Sequence, residues 1–168
     1  MIRFGIAGHR SLDDRNVSEF VARQLESILR DAQKQNIGTT AISAVAEGAD
    51  TIFAETALSL NVPLEIVRPF RGYSNDFKTT HSRSRYRNLL RRAAREITMP
   101  FNERSDVAYQ TAMHWIVDNC DVLIAVWNGE RSDRIGGTVD AVERAIRSKR
   151  KWIHLNVNEL TVNFHFIV

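Results

Sequence analysis

Short apolar runs alternate with longer amphipathic stretches along the whole chain. Ile2 to Ala7 is apolar and ends in Gly8, which reads as a buried strand. Val17, Val21, Leu25, Ile28 and Ala32 then recur at helical spacing, with Asn16 and Glu19 placed as a capping box. Thr39 to Ala46 reads as a second strand, closed by Glu47-Gly48. Helical spacing returns at Ile52, Phe53, Thr56, Ala57 and Leu60. Leu64 to Val67 reads as a third strand, ended by Pro69, and a loop follows from Phe70 to Thr80. Tyr86, Leu89, Leu90, Ala93, Ala94 and Ile97 form the apolar stripe of one amphipathic helix, and Ile97 to Met99 reads as a short strand. Ala108 to Asp118 is a further helix. Asp121 to Trp127 (DVLIAVW) is the strongest buried-strand run in the chain. A polar loop, Asn128 to Gly137, leads into a helix from Thr138 to Ser148, and Trp152 to Asn156 is another strand. In the tail, Leu160, Val162, Phe164, Phe166 and Val168 alternate with Thr161, Asn163 and His165, as in a strand with one face covered.

Strands alternating with helices predict an α/β three-layer sandwich, with a mostly parallel central sheet and helices on both faces. Apolar runs such as DVLIAVW suit strands buried on both sides. No repeat, linker or low-complexity segment divides the 168 residues, so one domain over 1–168 is expected. In such sheets ligands bind beyond the carboxyl ends of the strands. The informative loops are therefore those after Ala7, Ala46, Val67 and Trp127.

Composition narrows the classes. Hydrophobic residues at 43 % and charged residues at 26 % exclude disorder as the main state. Eight Gly and three Pro exclude a fibrous chain, and one Cys excludes an internal disulfide. No signal peptide is visible at Met1-Ile2-Arg3-Phe4-Gly5, and no apolar run approaches the ~18 residues of a spanning helix. The expected location is the cytoplasm, with no membrane partner. A net charge of +3 and a pI near 9.3 suit anionic ligands without indicating nucleic acid.

Three loops carry candidate binding chemistry. Gly8-His9-Arg10 follows the first strand: Gly permits close approach of a ligand, Arg offers a planar fork for phosphate or carboxylate, and His donates or accepts near neutral pH. The plainer alternative is a turn whose His and Arg cap their neighbours. Glu47-Gly48-Ala49-Asp50 exposes backbone N–H groups at a helix start, where Asp50 either caps the helix or faces a ligand and Glu47 can accept from ribose hydroxyls. The third runs from Trp127, Asn128 and Gly129 to Gly136, Gly137 and Thr138, where two glycines and a hydroxyl at a helix start suit phosphate or sugar. It is neither a GxGxxG nor a Walker loop.

Arg83, Arg87, Arg91 and Arg95 recur every four residues, with Arg85 and Arg92 beside them, so one helix face is expected to be basic and to need counter-charges. A solvated face, a nucleic-acid surface, an anionic ligand and an acidic subunit interface all fit that stripe. Aromatic residues suited to base stacking are not interleaved with it. Cys120 and His114 read as structural residues. No metal-ligand spacing and no nucleophile elbow occurs, so neither metal nor cofactor is expected.

GIAGHRSL at the start, AEGAD in the second turn, and DVLIAVWNG followed by GGTVDAVERA together resemble the SLOG superfamily. These are Rossmann-like domains related to the LOG phosphoribohydrolases and to the DNA-processing protein DprA. The similarity runs from Ile2 to about Asn156 and leaves the strand-like tail 157–168 outside it. It looks nearest to small stand-alone or TIR-associated members, many linked to bacterial nucleotide signalling and antiphage defence. The resemblance implies a nucleotide-derived ligand facing Gly8, His9, Arg10, Glu47, Gly48 and Asp50, with Gly136, Gly137 and Thr138 on a phosphate. LOG enzymes carry P-G-G-x-G-T-x-x-E, whose glutamate serves N-glycosidic cleavage. Aligned on Gly137-Thr138, that position is Ala141 here, and the proline and one glycine are missing.

Three functions follow as expectations. One is a binding module for a nucleotide or nucleotide-derived signal, acting beside a separately encoded effector. The alternative is an N-glycosidase or phosphoribohydrolase, with Glu47 the first catalytic candidate and Asp50 or Asp140 behind it. A nucleic-acid-binding role through the Arg helix is the third. The apolar alternation of the tail further suggests a homo-oligomer, a dimer, with the amphipathic Arg helix as a second candidate interface.

Overall fold

β1 (Ile2–Gly8) lies at the centre of a seven-stranded sheet, flanked by β2 (Thr39–Ser43) and β5 (Val122–Trp127). Beyond β2 come β3 (Leu64–Arg68) and the edge strand β4 (Arg95–Thr98), and beyond β5 come β6 (Lys151–Asn156) and β7 (Thr161–His165). All neighbours are parallel except β6 and β7. The helices are α1 (Arg15–Lys34), α2 (Ala49–Ser59), α3 (Thr80–Arg92), α4 (Asp106–Asn119) and α5 (Thr138–Arg147), with a 3-10 turn at Tyr73–Asp76. This computed structural model describes residues 1–35, 38–130 and 136–166. Residues 131–135 of the Asn128–Gly137 loop and residues 167–168 of the tail lie outside the described residues. The fold is the expected α/β Rossmann-like sandwich.

Alternation along the strands builds two cores. Phe4 and Ile6 of β1 and Val122, Ile124 and Val126 of β5 point to α1, α2 and α3, meeting Val21, Leu25, Phe53, Tyr86 and Leu89. Leu123 and Ala125 point the other way, to Ala112, Ile116 and Val117 of α4 and Ala141 and Ala145 of α5. The central strands are covered on both sides, which is why they read as continuous apolar runs. No helix among the described residues is long and apolar enough to cross a membrane.

Strand order marches outward from β1 to β4, then restarts on the other side of β1 with β5. A crevice opens at that switch point, above the carboxyl ends of β1 and β5. Its walls depend on close backbone approach. A Cβ on Gly8 would lie 2.6 Å from Cβ of Ala49 and 2.8 Å from Cβ of Val126. Gly48 has φ +85, and a Cβ there would lie 2.3 Å from the His9 carbonyl oxygen. The gap is closed by hydrogen bonds, Ala49 N–H to His9 O at 3.1 Å and His9 N–H to Val126 O at 3.1 Å.

Four local expectations are corrected. β2 stops at Ser43 rather than Ala46, because Val45 takes φ +48 and donates its N–H to Ser43 Oγ at 2.9 Å. The α1 cap is Asp14, not Asn16: Asp14 Oδ1 accepts from Asn16 N–H at 2.7 Å, and Glu19 pairs with Arg15 instead. α3 ends at Arg92, since Ala93 is extended and Ala94 N–H donates to Leu64 O at 2.8 Å. Arg95 therefore belongs to β4, and the Arg stripe on the helix ends at Arg91 and Arg92. Glu55 meets Arg85 at 2.5 Å and Glu65 meets Arg95 at 3.9 Å, whereas Arg83 donates to the Phe77 carbonyl oxygen at 2.9 Å. Finally, β7 is covered only in part: Val162 packs against the core, and the other residues of the strand are exposed.

The close approach at Gly8 gives a direct test. Gly8→Ala must separate β1 from the start of α2, and overpacking of this kind costs about 1–3 kcal/mol. A lower melting temperature is expected by circular dichroism, with the helical and strand content of the folded state retained.

Candidate functional site

The crevice is a cleft of about 300 Å³, within the range of small-ligand sites. It is lined by Gly8, His9 and Arg10, by Asp50, by Trp127 and Asn128, and by Gly136, Gly137 and Thr138. Three separate sequence motifs thus converge on one cavity. Asn128 N–H donates to His9 Nε2 at 3.2 Å, tying the first loop to the one after β5.

Not every candidate converges. Glu47 and Gly48 line a neighbouring groove with Asp13, Glu19, Glu55 and Arg85, beyond the α2 start. Gly48 serves the cleft only indirectly, through its contact with His9. Gly129, at φ +84, turns the chain between Asn128 and Glu130 beside His154 and is not among the lining residues. Trp127 Nε1–H donates to Glu130 O at 2.8 Å, holding that turn down.

The floor carries a buried acid. Asp50 is 4 % exposed, and Ser43 Oγ–H donates to its Oδ2 at 3.2 Å. Burial raises its carboxyl from 3.8 to about 7, against the opposing pull of Ser43, Arg10 and two backbone N–H groups.

The cations sit on an aromatic support. Arg10 lies 4.9 Å from the Tyr109 ring centre, and Arg104 lies 5.9 Å from it. Both guanidinium groups approach Asp76, each at 3.4 Å, and the Tyr109 hydroxyl donates to the same carboxylate. Asp76 is nearly buried, on a 3-10 turn anchored by Tyr73, which packs edge-on against Phe70, Phe77, Tyr86 and Tyr109. Both cations thus share one buried anion, and Asp50, Asp106 and Glu130 line the same cleft.

The start of α5 completes the cavity. Gly136 has φ +73, and its N–H donates to Asp140 Oδ2 at 3.1 Å. Asp140 also accepts from Gln110 at 2.9 Å and lies 3.3 Å from His114 Nε2. Burial works upward on this carboxyl, but the bonds from Gln110, His114 and Gly136 outweigh it and hold it below its ordinary range. Asp140 is thereby committed to shaping the glycine turn. Gly137 is the N-cap, without a side-chain cap, so first-turn N–H groups of α5 have no side-chain acceptor there. Ala141 is fully buried against the sheet, not on the cleft.

Arg104, Tyr109, Asp76 and Tyr73 are lining or supporting residues that the sequence reading passed over. Arg104 follows β4, so the carboxyl-end rule applied to one more strand would have reached it. Tyr73 and Asp76 carry no local signal inside a segment that reads as a loop. Among the described residues, no group of three or more His, Cys, Asp and Glu is placed to hold a metal ion.

No protein-family model and no curated protein matches the chain. Solved structures do. DNA processing protein A from Helicobacter pylori, described for its single-stranded DNA binding mode, matches at TM-score 0.66 with 15 % identity over 91 % of this chain and 64 % of that one. DNA processing protein A from Streptococcus pneumoniae matches at TM-score 0.64 with 15 % identity, covering 92 % and 50 %. The molybdenum cofactor binding protein from Rippkaea orientalis matches at TM-score 0.57 with 14 % identity, covering 95 % and 81 %. The chain thus spans about two-thirds and half of the two DNA processing proteins. The likeness to these neighbours supports the Rossmann-like α/β fold that the sequence pattern predicts.

The raised Asp50 carboxyl makes stability depend on pH. Between about pH 4 and pH 7 the folded state holds a proton on Asp50 that the unfolded chain releases, so stability falls as pH rises through that window. Asp50→Asn keeps the shape and removes the fall. Thermal melts at pH 5 and pH 8 are expected to differ less for the variant than for the parent.

Proposed function

We propose that this chain binds a nucleotide or nucleotide-derived ligand, with its phosphate between Arg10, Arg104 and the start of α5. The observation that carries this reading is the cavity shared by both arginines, on their aromatic support, with the Gly136-Gly137-Thr138 turn. Guanidinium groups recognise phosphate through a planar fork, and helix-start N–H groups add a fixed partial positive charge. A sugar or base would then lie toward Trp127 and Asn128. The ligands named for the structural neighbours, single-stranded DNA and the molybdenum cofactor, both present phosphate, which fits the same chemistry. A binding role beside a separate effector, in bacterial nucleotide signalling or antiphage defence, is the setting that the SLOG resemblance suggests.

A second reading is N-glycosidic cleavage. It is favoured by Asp50, a carboxyl poised near neutrality on the cleft floor, where a general acid for a departing base would stand. Glu47, from its neighbouring groove, would reach such a ligand only after the α2 turn moved.

Calorimetry against nucleoside mono- and diphosphates, NAD, cyclic dinucleotides and a short oligothymidylate separates these readings. At least one small ligand is expected to bind. Arg104→Ala should weaken it by about 10- to 100-fold, the loss of a charge-assisted contact. Gly137→Asp should abolish binding with the fold intact, since the position has an ordinary φ of −87 and would carry a carboxylate where the anion sits. Affinity for the oligonucleotide alone, insensitive to both variants, would overturn the proposal. Release of free base, lost in Asp50→Asn or in Glu47→Gln with binding retained, would establish the enzyme and identify its acid.

A further inference from the structure

We propose that β7 pairs antiparallel with β7 of a second copy of this chain, Phe164 opposite Phe164, so that two sheets join into one. Among the described residues β7 has a single neighbour, β6, and its other side is a row of backbone groups without a sheet partner. Phe164 and Phe166 are 57 % and 58 % exposed and stack on each other with ring centres 5.8 Å apart.

The two edges of the sheet are built differently. β4 is four residues long and carries Arg95 and Glu96, ion-paired to Glu65 and Arg68. Such short, charged edges resist strand addition. Residues 161–166 contain no Lys, Arg, Asp, Glu or Pro. The strand is nonetheless held in order, since His165 stacks on Trp152 at 3.8 Å with an interplanar angle of 5°. It is an ordered, unguarded edge rather than a frayed one.

Register and charge point to a second copy as the occupant. Ile153 pairs with Phe164 and Leu155 with Val162, which puts Val162 and Phe164 on the same face of the sheet, with Phe166 next in the alternation. A two-fold axis at Phe164 keeps that face common to both copies. It sets Val162 opposite Phe166 of the second copy, so an apolar row meets its own complement. The ends of the strand differ in charge. Glu159 precedes it, and Lys151 Nζ lies 5.9 Å from the Phe166 ring at its far end. Antiparallel pairing brings the acidic end of one copy toward the basic end of the other, whereas parallel pairing would align like charges.

Light scattering of the purified protein at micromolar concentration is expected to give twice 19.2 kDa. Phe164→Asp should give the monomer mass with unchanged far-ultraviolet circular dichroism, since the side chain is exposed. A second measurement does not rely on that variant folding. Phe164→Cys should form an intermolecular disulfide on mild oxidation, because directly opposite residues have Cβ atoms about 5 Å apart. Ile146→Cys, at a site equally exposed on α5, should not, and Cys120 is buried and takes no part. A monomeric parent, a dimer that survives Phe164→Asp, or equal cross-linking at both positions would overturn the proposal.

Discussion

Everything at the functional end of the molecule depends on three stretches of backbone meeting where a side chain will not fit. The end of β1, the start of α2 and the end of β5 close on one another at Gly8 and Gly48. Two backbone hydrogen bonds hold that junction, and both pass through His9. The residue after a packed strand end is thereby turned out over the crevice, which is how Arg10 reaches Tyr109. Any wider junction would tilt α2 away and open the floor where Asp50 is enclosed.

Around this junction, charge is arranged in layers. The exposed guanidinium groups of Arg10 and Arg104 share the nearly buried Asp76 carboxylate. The α5 start offers backbone donors instead, and Asp140 is spent in bracing the glycine turn. The aromatic group of Phe70, Tyr73, Tyr86 and Tyr109 turns an irregular segment into a rigid shelf, and on it rests the only carboxylate that touches both arginines among the described residues.

Most of the fold was legible because central strands buried on both sides must be apolar throughout, as DVLIAVW is, and surface helices must be amphipathic. The misread boundaries share a cause: local backbone chemistry won over hydrophobic pattern. Ser43 ended β2 by bonding to Val45, Asp14 displaced Asn16 as the cap, and an extended Ala93 broke an apolar stripe that ran on into β4. The cleft was half legible. Loops at strand ends identified Gly8 to Arg10 and Gly136 to Thr138, since position along a parallel sheet is enough to bring them together. Glu47 and Asp50 are three residues apart, but the turn at Gly48 sends them to different cavities, and sequence spacing does not report that. Asp76 and Tyr73 join the site through tertiary packing alone.

The central pairing of the sheet has a consequence for how the molecule comes into being. β1 joins β5 through contacts such as Gly5 with Leu123 and Gly8 with Val126, partners separated by most of the chain. During synthesis β1 can dock on β2 early, but its other edge waits until β5 has been made. Closing so long a loop is entropically slow, and an edge left open meanwhile invites wrong partners. Until β5 is made, the first four strands can form at most a half-sheet with the β1 edge bare, and pairing of β5 both covers that edge and completes the cleft. Ligand competence and protection from misassembly arrive in the same event.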